Sequence, residues 1–152
     1  EIKLRNEDIN TPYYHYTHGL KKHDGNCQRI AHGHRSKIDI FTNGQYNQEL
    51  VQQWANRWQD IYLASNADLV NQSDLSFVVV NDGYEKLCTA YQAPQGYFEL
   101  AMPIKRAEVL PDDTTVEQLS RFICQQLKQQ TGKNEVTVYA YEGIGKGAIF
   151  EL

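Results

Sequence analysis

The chain has 152 residues, 41% of them hydrophobic and 22% charged, which fits one globular domain of ordinary size. A formal net charge of −4 excludes a general basic surface for nucleic acid or anionic lipid. No apolar run reaches the ~20 residues that cross a bilayer, and no signal-peptide pattern opens the chain. The three cysteines, Cys27, Cys88 and Cys124, are odd in number and far apart, which argues against a disulfide framework and for a reducing, cytoplasmic setting. The 10 tyrosines point to strands and a lined pocket.

Residues 12–19 alternate as a strand, with Tyr14, Tyr16 and His18 on one face and Tyr13, His15 and Thr17 on the other. Residues 20–31 are polar and hold the turn signal Asp24-Gly25-Asn26, so they read as a loop. Residues 32–42 resume as a strand whose His32 and His34 face continues through Ile38 and Ile40. Asn43-Gly44 ends it as a turn. Leu50, Trp54 and Trp58 recur at helical spacing, which predicts a helix over 47–60. The segment 61–75 is ambiguous. Phe77–Val80 reads as a strand, Asp82-Gly83 as a turn and 84–91 as the return strand, with another short strand at 97–102. Over 114–130 a helix is predicted, with Thr114 as cap, Glu117 completing a capping box, and Val116, Leu119, Ile123 and Leu127 as the buried stripe. Gly132 follows as C-cap. Residues 136–141 and 147–152 are the last strands. The order predicts a single α+β domain over 1–152, with two helices on one face of an antiparallel sheet and an extra hairpin at about 76–103.

His32 and His34 lie two apart, so a strand points both imidazoles the same way. His18 on a paired strand would complete a three-nitrogen site with one position open, the pattern of a catalytic rather than a structural zinc. The competing reading is three ordinary polar histidines near strand ends. Gly33 sends no side chain to the opposite face and would let backbone approach closely there. Cys27 precedes the pair, and a thiol near a metal or a charged imidazole becomes a usable base. Cys88 and Cys124 fall in apolar patterns and read as packing residues. Glu142 closes a strand before Gly143-Ile-Gly-Lys-Gly147, where a carboxylate can accept two hydrogen bonds from a planar N–C–N edge. On its own that glutamate reads equally as a surface hairpin acid. Arg35 and Lys146 are cations able to meet phosphates or simply to be solvated.

Taken together, Tyr14-His-Tyr-Thr-His18, Cys27, His32-Gly-His34, Thr114-Thr-Val-Glu117 and Val-Tyr-Ala-Tyr-Glu142 resemble the 6-pyruvoyl/6-carboxy-tetrahydropterin synthase family. The matches fall in order over about 12–42 and 114–151. The resemblance implies the tunnelling fold (T-fold), in which subunits join sheets into a barrel and share active sites at their interfaces. It implies a zinc lyase acting on dihydroneopterin triphosphate in pterin or queuosine biosynthesis, with His18, His32 and His34 as metal ligands. Cys27 would move protons and His23 would tune it, while Glu142 and Thr115 would bind the pterin. The start at Glu1 fits the second unit of a tandem T-fold chain. The chain departs from the pattern in three places. Four residues rather than three separate Cys27 from His32, no histidine follows His34, and Gly143 replaces the usual threonine or alanine. These departures keep open an alternative, a zinc-containing T-fold domain that binds a pterin or purine, or serves assembly, without turnover. A third reading is a metal-dependent hydrolase on an unrelated β scaffold.

Overall fold

A computed structural model describes residues 12–21, 32–143 and 145–152. In chain order the elements are β1 (Tyr14–His18), β2 (His32–Ser36), β3 (Ile38–Thr42), β4 (Gln45–Tyr46), α1 (Gln48–Trp58) and β5 (Ile61–Ser65). They continue with β6 (Lys86–Ala93), β7 (Gly96–Pro103), β8 (Ala107–Leu110), α2 (Val116–Thr131), β9 (Val136–Gly143) and β10 (Lys146–Glu151). Contacts divide the chain into two compact units. Among the described residues, the first takes 12–15, His34–Gln59 and Val116–Leu152; the second takes 16–21, 32–33 and Asp60–Thr115.

The first unit is built on the antiparallel sheet β10-β9-β3-β4. Alternation buries Ile38 and Ile40 of β3 beside Ala140 and Val138 of β9, their direct partners in register. Both helices pack on this sheet, α1 against β3 and α2 against β9 and β10. Helix α1 starts at Asn47, whose side-chain oxygen accepts from the Leu50 amide at 3.1 Å. It buries Leu50, Val51, Trp54, Ala55 and Trp58. Trp58 lies flat against Phe122 of α2 (6.3 Å between centroids, planes at 12°) and meets Trp54 and Tyr14 edge-on. Helix α2 buries Leu119, Ile123, Cys124 and Leu127. The Cys124 thiol donates to the Val136 carbonyl at 3.1 Å, and burial pushes its pKa up. Burial does the same to Cys88, so both thiols are packing groups. Asn43 and Gly44 join β3 to β4 with φ of 50° and 74°, the left-handed pair a tight hairpin turn requires.

The expected strand over 32–42 is interrupted at Lys37, so β2 belongs to the sheet β2-β1-β5-β8 and β3 to the helix-backed one. The inward alternation still runs on through Ser36, Ile38 and Ile40.

In the second unit, β5 pairs parallel with β1 and with β8. The fold is therefore α+β with a parallel ladder beside the expected antiparallel pairing. Strand β8 falls where the sequence pattern gave no strand. The middle hairpin is β6–β7, in continuous register from Lys86–Pro103 to Ala93–Gly96. Phe77–Val80 corrects the strand expected there. It lies outside every strand, with Val78 93% and Val80 75% exposed. The Asp82-Gly83 turn closes on its own side chains, Asn81 accepting from the Gly83 amide and Asp82 from the Tyr84 amide. Residues 86–93 pair with 96–103 instead, so β-branched residues at 78–80 have no partner strand to pack against. Among the described residues no helix is long and apolar enough to cross a membrane.

Candidate functional site

Strand β1 alternates as expected. Tyr14, Tyr16 and His18 are buried, and His15 is exposed, its backbone amide donating to Gln59. His18 is fully buried, an expensive place for an imidazole unless it is hydrogen-bonded. Thr114 supplies the bond: its carbonyl oxygen lies 2.9 Å and its hydroxyl 3.0 Å from His18 Nδ1. A carbonyl only accepts, so Nδ1 donates, and the neutral ring carries its lone pair on Nε2. Helix α2 opens at Val116, and the Thr114 hydroxyl just before it meets this imidazole.

The His32 ring centroid is 4.5 Å from that of His18. His34 is half-buried, and its Nδ1 lies 3.0 Å from the backbone carbonyl of Glu142, which fixes its tautomer by the same logic. The three histidines each offer a ring nitrogen, and these atoms lie within 4.8 Å of one another; no other such cluster of metal-binding groups occurs among the described residues. Three imidazoles, two of them with Nδ1 against backbone carbonyls, form the donor set and the supporting shell that suit an imidazole-bound divalent metal. Gly33 departs from its reading: a Cβ there would stand 3.6 Å from the Thr17 methyl, an ordinary contact, so no close backbone approach demands glycine.

A second group of residues adjoins His34. Glu142 is in β9, its carboxylate almost buried (7% exposed) and ion-paired with Lys146 across the β9–β10 turn. Gly143, the register partner of Lys146, has no described heavy atom within 4 Å of where a Cβ would sit. At Gly147 the opposite holds: a Cβ would meet the Ala140 carbonyl oxygen at 2.5 Å, so the hairpin's register shift needs glycine. Arg35 stacks its guanidinium over Tyr13 at 4.4 Å. Thr115 is half-buried immediately before α2. Cys27 and His23 lie outside the described residues.

Residues 10–151 match the sequence profile of the 6-pyruvoyl tetrahydropterin synthase family. The chain belongs to that family. No curated protein matches it significantly in sequence. Among solved structures it is similar to the Plasmodium vivax 6-pyruvoyltetrahydropterin synthase, with TM-score 0.64 and 15% identity, covering 92% of this chain and 91% of that one. The Plasmodium falciparum enzyme gives TM-score 0.63 and 12% identity with the same coverage. The α+β architecture is thus the family's T-fold, a scaffold of lyase-type, pterin-processing enzymes.

Within this family member, sequence reasoning missed three residues. Thr114 was readable only as a cap because its partner His18 is far away in sequence. Lys146 looked solvated, yet it meets a nearly buried carboxylate. Gly147 stood in a glycine-rich run that gave no hint of which glycine the backbone needs.

Proposed function

We propose that this chain is a zinc-dependent 6-carboxy/6-pyruvoyl-tetrahydropterin synthase-like lyase acting on dihydroneopterin triphosphate in pterin or queuosine biosynthesis. The observation that carries the reading is the convergence of His18, His32 and His34 beside Glu142 in a member of this family. His18, His32 and His34 hold the metal, which supplies Lewis-acid polarisation of the substrate's side-chain hydroxyls. Thr114 and the Glu142 carbonyl keep two of the imidazoles in the tautomer that ligation needs. The Glu142 carboxylate accepts from the pterin edge, and Thr115 adds a hydroxyl near the start of α2. Cys27 as thiolate takes and returns the proton on carbon, with His23 as the group that sets its charge. The chain acts as one T-fold domain in a cytoplasmic homo-oligomer with interfacial sites.

The test is mass spectrometry of the products formed from dihydroneopterin triphosphate by protein of known zinc content, beside Cys27→Ala. A zinc-dependent 6-carboxy or 6-pyruvoyl product that disappears in Cys27→Ala is the expected result. Equal turnover by Cys27→Ala contradicts the assigned base. The absence of any histidine after His34 favours a second reading, a T-fold domain that binds a pterin or purine, or serves assembly, without turnover. One zinc per chain with ligand bound and no product would select it.

A further inference from the structure

The β9–β10 hairpin pairs a sheltered acid with an exposed base. The Glu142 carboxylate is nearly buried, and Lys146 is paired with it while its own side chain is 60% exposed. Lys146 is the direct partner of Gly143 in register, and its ammonium reaches the Glu142 carboxylate, so acceptors and donor lie side by side. A carboxylate offers only acceptors and an ammonium only donors. Side by side they present two acceptors followed by a donor. The complementary ligand edge carries two donors followed by an acceptor. A 2-amino-4-oxo pyrimidine ring has that edge: the 2-amino group, N3–H, then the oxygen on C4.

We propose that Lys146 is a specificity-determining residue, donating to the 4-oxo oxygen of a ring whose 2-amino and N3–H groups are held by Glu142. This rests on the reading that Glu142 binds the pterin. It adds a contact to the 4-oxo oxygen that a carboxylate, which only accepts, cannot make. A 2,4-diamino ring fails at two points: its N3 carries no hydrogen for the carboxylate, and a donor stands where the oxygen stood and meets the ammonium donor to donor. Before the ring enters, the ion pair holds the carboxylate in place at the strand end.

The experiment is calorimetric titration of the zinc-loaded full chain with 7,8-dihydroneopterin and with a 2,4-diaminopteridine bearing the same side chain, in wild type, Lys146→Met, Lys146→Arg and Glu142→Gln. The wild type should favour the 4-oxo ring by more than tenfold, since each of the two hydrogen bonds to a charged group is worth about tenfold. Lys146→Met should reduce that preference by about tenfold, leaving the part that N3–H on Glu142 supplies, and Lys146→Arg, which keeps a donor, should retain it in full. Glu142→Gln should weaken both rings. Wild-type binding with an unchanged or tightened 4-oxo affinity in Lys146→Met overturns the role of Lys146 and leaves the pterin reading standing. Failure of the wild type to bind either ring, or full binding by Glu142→Gln, overturns the pterin reading and this inference with it.

Discussion

Strands β1 and β3 obey the same in-and-out alternation but bury different chemistry. Along β3 and its partner β9 the inward positions are Ile38, Ile40, Val136, Val138 and Ala140, all aliphatic. Along β1 they are Tyr14, Tyr16 and His18. The first set gains by leaving water and asks nothing more of its neighbours. The second carries polar atoms that each need a partner, and His18 finds one in Thr114. Alternation therefore tells which residues face inward, and residue type tells whether that face was built for stability or for a site.

The comparison breaks first at the aromatic cluster behind β3. Trp58 is fully buried among Trp54, Phe122 and Tyr14. Trp58→Ala should lower unfolding free energy by about 3–5 kcal/mol, measured by urea titration, while zinc per folded chain stays unchanged. A loss under about 1 kcal/mol would mean that the helix-backed face is not the main store of stability. Next comes the hairpin edge. A side chain at Gly147 must displace the Ala140 carbonyl, so Gly147→Val should cost about 1–3 kcal/mol in the same titration; wild-type stability would show that the hairpin relaxes freely.

The polar face responds differently. Thr114→Val removes the hydroxyl partner of His18 and keeps the carbonyl. Zinc affinity in a chelator competition should fall by about tenfold with little change in unfolding, and Thr114→Ser should restore it. An unaltered affinity would reduce Thr114 to a packing residue. The smallest effect belongs to the exposed run at 77–80. Val78→Ser should shift stability by less than about 0.5 kcal/mol, and a larger loss would mean that this run is covered in the folded protein.

Much of this was legible in the sequence, for reasons the same residues make plain. Leu50, Trp54 and Trp58 repeat with the helix, and Val136–Tyr141 alternates as a strand, because each pattern is local. The His32 and His34 pair is likewise local, two residues apart on one strand. What escaped depends on distant partners. Strand β8 is four residues long and is defined by parallel pairing with β5, which no nearby turn announces. Phe77–Val80 has strand composition and no strand to join. Thr114 and His18 are 96 residues apart, so their hydrogen bond has no trace in spacing.

The claim on which the rest depends is that the inward histidines make a metal centre, and β1 carries its own control. His15 and His18 share that strand, one exposed and one buried. Zinc per chain should be measured by plasma mass spectrometry after dialysis for wild type, His15→Ala, His18→Ala, His32→Ala and His34→Ala, each checked for folding by circular dichroism. One zinc per chain in wild type and His15→Ala, with loss in the other three folded variants, is the result this account predicts. Equal zinc in all five proteins, or none in the wild type after loading, would contradict it.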